Sequence, residues 1–318
     1  MRDPKSYIGQ RAADSIARLD QFKGQLGARV PDLKGLNRLC IYTTGSYGRH
    51  EANTRSDLDL FFVRDNQPIS GLKTTLITAD LIRLSSDLGF PDFDGDGAYL
   101  KIHEVESLAL RIGHQQEDAE NTFTARMLLM LESEPLHNAA LYERAIRACL
   151  KEYCRDNRDN FTPRFLANDI MRYWKTLCLN YENKRTGRGE DTKAKARVKN
   201  FKLKHSRILI CFSMVVCLCD EEGANSPDKL YHLVRMKPID RLEMIAGRHN
   251  LTGVFGQIEA EYEWFLKSSD QNNAALEAWI TENKGDVLRR ASQFGDAVFS
   301  LLEGVAKATS SNLRYLLV

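Results

Sequence analysis

Asp57 and Asp59 stand one residue apart in Ser-Asp-Leu-Asp-Leu-Phe-Phe-Val, residues 56–63. In an extended chain, residues i and i+2 project from the same face. The two carboxylates would then share one side, with Leu58, Leu60 and Phe62 on the other. Two carboxylates within a few Å repel and raise each other's pKa unless a cation compensates. Their hard oxygens suit Mg²⁺, which takes one or two carboxylates plus substrate phosphates. Two such ions can clamp the attacking and leaving oxygens of an in-line phosphoryl displacement.

The upstream stretch Thr43-Thr44-Gly45-Ser46-Tyr47-Gly48-Arg49-His50-Glu51 offers the complementary half. Gly45 and Gly48 allow close backbone approach, and Ser46 carries a hydroxyl donor. Backbone N–H groups in such a turn can cradle phosphate oxygens, and Arg49 can add a charge-assisted contact. Either motif alone is commonly structural: a glycine–serine turn, or an exposed strand edge. Together, on consecutive strand, turn and strand, they point to phosphoryl-transfer chemistry.

The elements around them are legible as patterns. Apolar positions Ile8, Ala12, Ile16, Leu19, Phe22 and Leu26 predict a helix over 4–27. Residues 39–45 and 57–63 are apolar, β-branched or aromatic runs of strand length. Residues 76–90 predict a helix ending at Gly89, and 97–105 another strand. Residues 36–110 thus form an α/β unit with a small sheet. From about Thr122 the pattern is helical throughout, over 124–153, after Pro163, and through 207–219, 257–267, 273–281 and 286–306. The expected loops there are 184–207 and 220–229. The expected division is residues 1–120, a catalytic domain including the N-terminal helix, and 121–318, a helical bundle completing the cleft.

The stretch Gly-Ser-Tyr-Gly-Arg-His-Glu-Ala-Asn-Thr-Arg-Ser-Asp-Leu-Asp-Leu resembles the signature of the DNA polymerase β-like nucleotidyltransferase superfamily. Its details look most like the bacterial branch that contains the uridylyltransferase of the nitrogen-regulatory signal protein. The resemblance covers roughly residues 38–135. It implies a mixed sheet flanked by helices, and nucleotidyl transfer from a nucleoside triphosphate with two Mg²⁺, for which Mn²⁺ can substitute. By residue match, Gly45 and Ser46 would hold the β/γ-phosphates, and Asp57 and Asp59 both metals. Family members carry a third carboxylate on a later strand. The best match is Asp96, before a strand bearing His103, with Asp94 and Glu104 as the alternatives. Ordinary turn chemistry also accounts for Asp94 and Asp96 in Asp-Phe-Asp-Gly-Asp-Gly.

In the helical half, Arg172 and Lys175 loosely resemble the helix with which template-independent polymerases steer the triphosphate. Side chains snorkelling from a packed helix are the plain alternative. Residues 184–207 hold ten Lys or Arg against two acidic residues. The default is a solvated basic loop; a lid over the triphosphate or a track for an oligonucleotide backbone are the functional alternatives. Ser206, beside it, could touch a phosphate or base.

The whole chain is nearly balanced, with net charge +2, so it does not advertise a polyanion partner. No signal-peptide core opens the sequence. The longest apolar run, Ile208–Cys219, is well short of the ~20 residues of a membrane span. Seven cysteines without a Cys-x-x-Cys pair read as reduced thiols of a cytoplasmic protein. The expected function is therefore a Mg²⁺-dependent nucleotidyltransferase acting on a nucleotide or oligonucleotide hydroxyl, in signalling or antiphage defence by family analogy. The alternatives are a protein acceptor, as in AMPylation or uridylylation of a partner, and a non-catalytic nucleotide- or RNA-binding module.

Overall fold

The computed structural model describes residues 3, 5–34, 36–93, 100–155, 164–186, 190–220, 226–309, 313 and 316. It is mixed α/β and mostly helical, with one small mixed sheet. The chain divides into two compact units, Met1–Glu152 and Tyr153–Val318.

The first unit opens with helix α1 (Tyr7–Arg29), whose N-cap Ser6 side chain accepts from the Gly9 N–H. Ile8, Leu19, Phe22 and Leu26 are its buried apolar positions; of the expected apolar face Ile16 is instead exposed and Ala12 half-buried, while Arg11 and Ser15 are buried. Strand β1 (Leu39–Thr43), the short turn helix α2 (Gly45–Gly48) and strand β2 (Leu60–Arg64) follow. Helix α3 (Gly71–Asp87), capped by Ser70, leads to Gly89 at φ +71 and then to strand β3 (Ile102–Glu104). Short helices α4 (Val105–Leu110) and α5 (Gln116–Ala119) precede helix α6 (Thr122–Leu131). Strand β4 (Glu134–His137) and helix α7 (Ala139–Tyr153) run to the boundary.

The sheet order is β3-β2-β1-β4. Strand β1 is antiparallel to both β2 and β4, with a register break at Ile41/Tyr42 on the β4 side, and β2 is parallel to β3. One face packs Leu39, Ile41, Leu60 and Phe62 against Leu19, Phe22 and Leu26 of α1 and Ile77, Leu81 and Leu84 of α3. On the other face Tyr42 stacks on Phe61 at 5.7 Å and meets Tyr142 of α7 at 6.0 Å. Arg126 and Glu117, both fully buried and paired at 3.0 Å, tie α5 to α6, and Arg126 also donates to the Leu108 carbonyl of α4.

One sequence expectation needs correction here. Residues 124–153 are not one helical run, because 134–137 is a strand paired with β1. That pairing joins 134–137 to the sheet, and the compact units divide after Glu152.

The second unit is helical: α8 (Arg164–Arg185), α9 (Glu190–Lys202), a π-helical turn (Leu203–Arg207), α10 (Ile208–Leu218), α11 (Pro227–Arg235), α12 (Pro238–Arg248), α13 (Thr252–Ser268), α14 (Asn273–Glu282) and α15 (Lys284–Ala308). The expected loop 184–207 is thus largely helix. Its Lys, Ala and Arg are good helix formers whatever their charge. The fully buried Arg241 donates to the carbonyls of Leu233 and Val234 at the end of α11 and to the Ser213 hydroxyl. All seven cysteines are free and five are buried; burial holds the thiols of Cys149 and Cys217 up at about 12. No helix among the described residues is long and apolar enough to cross a membrane.

Candidate active site

Strand β1 delivers the chain to Thr44, which is still extended, and Gly45 then turns at φ +65 into α2. That left-handed φ is open to glycine at little cost. The Thr44 N–H donates to the backbone carbonyl of Asp59 at 3.1 Å. The β1–β2 ladder therefore continues one step past β2 and holds Asp59 opposite the turn. The side chain comes closer still: a methyl group on Gly45 would stand 2.4 Å from Asp59 Oδ2. Glycine is needed here for φ, and with no side chain of its own it leaves the Asp59 carboxylate lying close to its Cα. The glycine–serine turn and the Asp-x-Asp segment are one structural unit.

Gly48 is required for a different reason. A methyl group there would meet the Glu132 carbonyl oxygen at 2.0 Å and the Thr43 carbonyl at 3.2 Å. The turn thus sits directly on main chain at the end of α6. No side chain caps α2, and the first-turn N–H groups of a helix have no acceptor within it.

Leu58, Leu60 and Phe62 are buried in the core against α1 and α3. Asp57 and Asp59 alternate with them in sequence and are half-buried. Both aspartates lie just before β2 rather than inside it, which leaves their carboxylates at the sheet's end. Ser46, beside Gly45, is also partly exposed.

Arg49 is placed differently from the expectation. It is only 8% exposed, its Nε donates to Glu51 Oε2 at 2.6 Å, and its Nη1 pairs with Glu132. Two carboxylates occupy the guanidinium, which fastens α2 to the end of α6 and is not presented as a phosphate contact. Glu51 and Glu132 were missed by sequence reasoning; Glu132 lies 83 residues from Arg49, beyond any local pattern. Arg11 and Ser15 of α1, which both donate to the Ala52 carbonyl and so hold the chain leaving the turn, were missed for the same reason. Tyr47 is fully buried. Burial raises its phenol pKa, the Asp57 charge reinforces this, and Arg18 opposes it.

Of the third-carboxylate candidates, Asp94 and Asp96 lie outside the described residues. Glu104 pairs with Arg64 across β2–β3. Arg64 is five residues beyond Asp59, about 16 Å along a strand at ~3.3 Å per residue. The structure therefore does not bring Glu104 to the aspartate pair. His103, opposite Val63, is buried. Burial, aided by Lys101 and opposed by Glu120, lowers its pKa to about 4, so the imidazole is neutral at pH 7. Among the described residues no group of three Asp, Glu, His or Cys side chains is disposed to hold a metal.

Arg172, Lys175 and Ser206 belong to the second unit. Arg172 lies 3.4 Å from Asp169, whose other oxygen accepts from Tyr153 at 2.5 Å. Lys175 is exposed. Ser206 is 4% exposed, and its hydroxyl donates back to the Lys202 carbonyl at 3.0 Å. That hydroxyl is turned into its own helix, contrary to the expected ligand contact.

Asp57 and Asp59 are half-buried carboxylates near a glycine-built turn, and hard carboxylate oxygens are the donor type that Mg²⁺ takes. No family model, no curated protein and no solved structure matches the chain.

Proposed function

We propose that the chain is a Mg²⁺-dependent nucleotidyltransferase that transfers a nucleotidyl group from a nucleoside triphosphate to a hydroxyl of a nucleotide or oligonucleotide. The observation that carries this reading is the close approach of Asp59 Oδ2 to Gly45. It brings together, at one end of the sheet, the turn that would take phosphate and a carboxylate that would take metal. The strand–turn–strand order around it supports the same reading, as does the resemblance of Gly45–Leu60 to the superfamily signature.

Asp57 and Asp59 would hold the metal, which when bound supplies charge neutralisation at the reacting phosphate and activates the attacking hydroxyl. Gly45 and Ser46 would take phosphate oxygens through backbone N–H groups and the serine hydroxyl. Gly45 keeps that surface free of a side chain. The buried Arg49–Glu51–Glu132 group holds the turn still while substrate enters, since positioning accounts for much of such catalysis.

The test is incubation with Mg²⁺ or Mn²⁺ and each labelled NTP and dNTP, with products resolved by mass spectrometry. A nucleotide-extended product is expected. Asp57→Ala with Asp59→Ala should lower its formation by at least ~10³-fold while the fold persists. Transfer of label to a co-purified protein would reassign the acceptor. No product with any nucleotide would overturn the reading.

A further inference from the structure

The described C-terminal part of the basic stretch, residues 195–207, is a one-sided helical surface rather than a loop. Along α9 and the π-helical turn, Ala196, Val198, Phe201, Leu203 and His205 are buried, whereas Lys195, Lys199, Lys202 and Lys204 are exposed. Lys195, Lys199 and Lys202 are spaced by four and three residues, which puts them on one face of a helix. At 1.5 Å per residue they span about 10 Å in a line one side chain wide.

We propose that this lysine face of α9 binds the phosphate backbone of a single-stranded nucleic acid. The chemistry is charge against charge. Phe201, the one Phe, Tyr or Trp of 184–207, is packed inward at 5.8 Å from Trp264, 5.0 Å from Phe265 and 6.1 Å from Trp279. It is not offered for stacking on a base, so the face reads backbone rather than sequence. A line of cations one residue wide follows one strand, whereas a duplex presents two strands across a groove ~12 Å wide. A membrane surface is the poorer partner, because an interfacial helix needs its apolar face outward, and here that face is in the core. As an acceptor track the surface rests on the nucleotidyltransferase reading; as a strand-binding surface it is independent of it.

The test is fluorescence anisotropy of labelled oligothymidylate and oligouridylate, about 20 nucleotides long, from about 50 to 200 mM salt. The triple variant Lys195→Gln, Lys199→Gln, Lys202→Gln should weaken binding about tenfold or more at the lowest salt. It should also flatten the log–log salt slope by about 2, three phosphates at roughly 0.7 each. Tryptophan emission, from Trp264 and Trp279 beside Phe201, checks that the variant is folded. An unchanged slope in a folded variant overturns the proposal. So does preference for duplex, polyglutamate or phosphatidylserine vesicles over the single strand. The Asp57→Ala, Asp59→Ala protein should bind the strand as the wild type does. Strand binding without transfer of any nucleotide would fail the catalytic reading alone. Transfer by a triple variant with undiminished strand binding would fail this surface alone.

Discussion

Ser46 and Ser206 both sit on short irregular helical turns, yet one is partly exposed beside Gly45 and the other is closed back onto the Lys202 carbonyl. The contrast extends to their surroundings. In the first unit the backbone makes the arrangement: a left-handed glycine, a ladder bond to Asp59, and a turn resting on the Glu132 carbonyl. In the second unit aromatic packing makes it. His205 lies between Phe265 at 4.8 Å and Phe294 at 5.5 Å, and its Nδ1 bonds the Phe201 carbonyl at 2.8 Å. The turn built on main-chain contact leaves Ser46 partly exposed, although Arg49 and Glu51 that follow it are buried. The turn built into the core takes Ser206 inside, where it serves only the fold.

The largest test of that contrast is a methyl group at two tight glycines. Gly48→Ala meets main chain that cannot yield, and should destabilise the protein by about 3 kcal/mol. Gly304→Ala meets only the Leu251 side chain at 2.7 Å, which can rotate, and should cost about 1 kcal/mol. Urea unfolding followed by circular dichroism measures both. Equal effects would break the distinction between backbone-built and core-built regions.

Acid titration sharpens the other side. Burial, opposed by the Phe201 carbonyl and aided by Lys204 and Arg290, lowers the His205 pKa to about 4. The unfolded chain, at about 6.5, takes the proton first. Its contribution to stability is therefore present above pH ~6.5 and is lost as pH falls through about 4, by up to roughly 3 kcal/mol. All three tryptophans lie in the second unit, so urea midpoints by tryptophan emission at pH 7 and pH 4.5 report it. His205→Phe should flatten this limb; an equally steep acid loss in that variant would place the sensitivity elsewhere.

The smallest effect is expected at Arg172→Gln. A part-exposed i,i+3 pair with Asp169 contributes no more than about 0.5 kcal/mol, so the urea midpoint should barely move. If Arg172 steers the triphosphate, KM for the nucleotide rises several-fold with stability unchanged; an unaltered KM confines it to the pair with Asp169.

Much of the site was legible because it is local. Leu58, Leu60 and Phe62 alternate with Asp57 and Asp59, and the alternation of apolar and acidic residues matches their burial, the apolar three buried and the aspartates half-buried. The glycine–serine turn was legible because few residues accept φ +65. Strand β4 was not legible: Glu-Pro-Leu-His is four residues between two good helices, and only β1's unpaired edge makes it a strand. Nor was the helix over 190–202, where charge density masked ordinary helix propensity.

The order of residues alone thus determined which side chains could share a face and where the chain must turn, because both follow from φ, ψ and side-chain period within a few residues. Tertiary structure decided which polar groups remained available. It placed Asp59 against Gly45, gave Arg49 to Glu132, and turned Ser206 inward. Those choices depend on partners tens of residues away or on the depth of the surrounding core, and no local spacing carries that information.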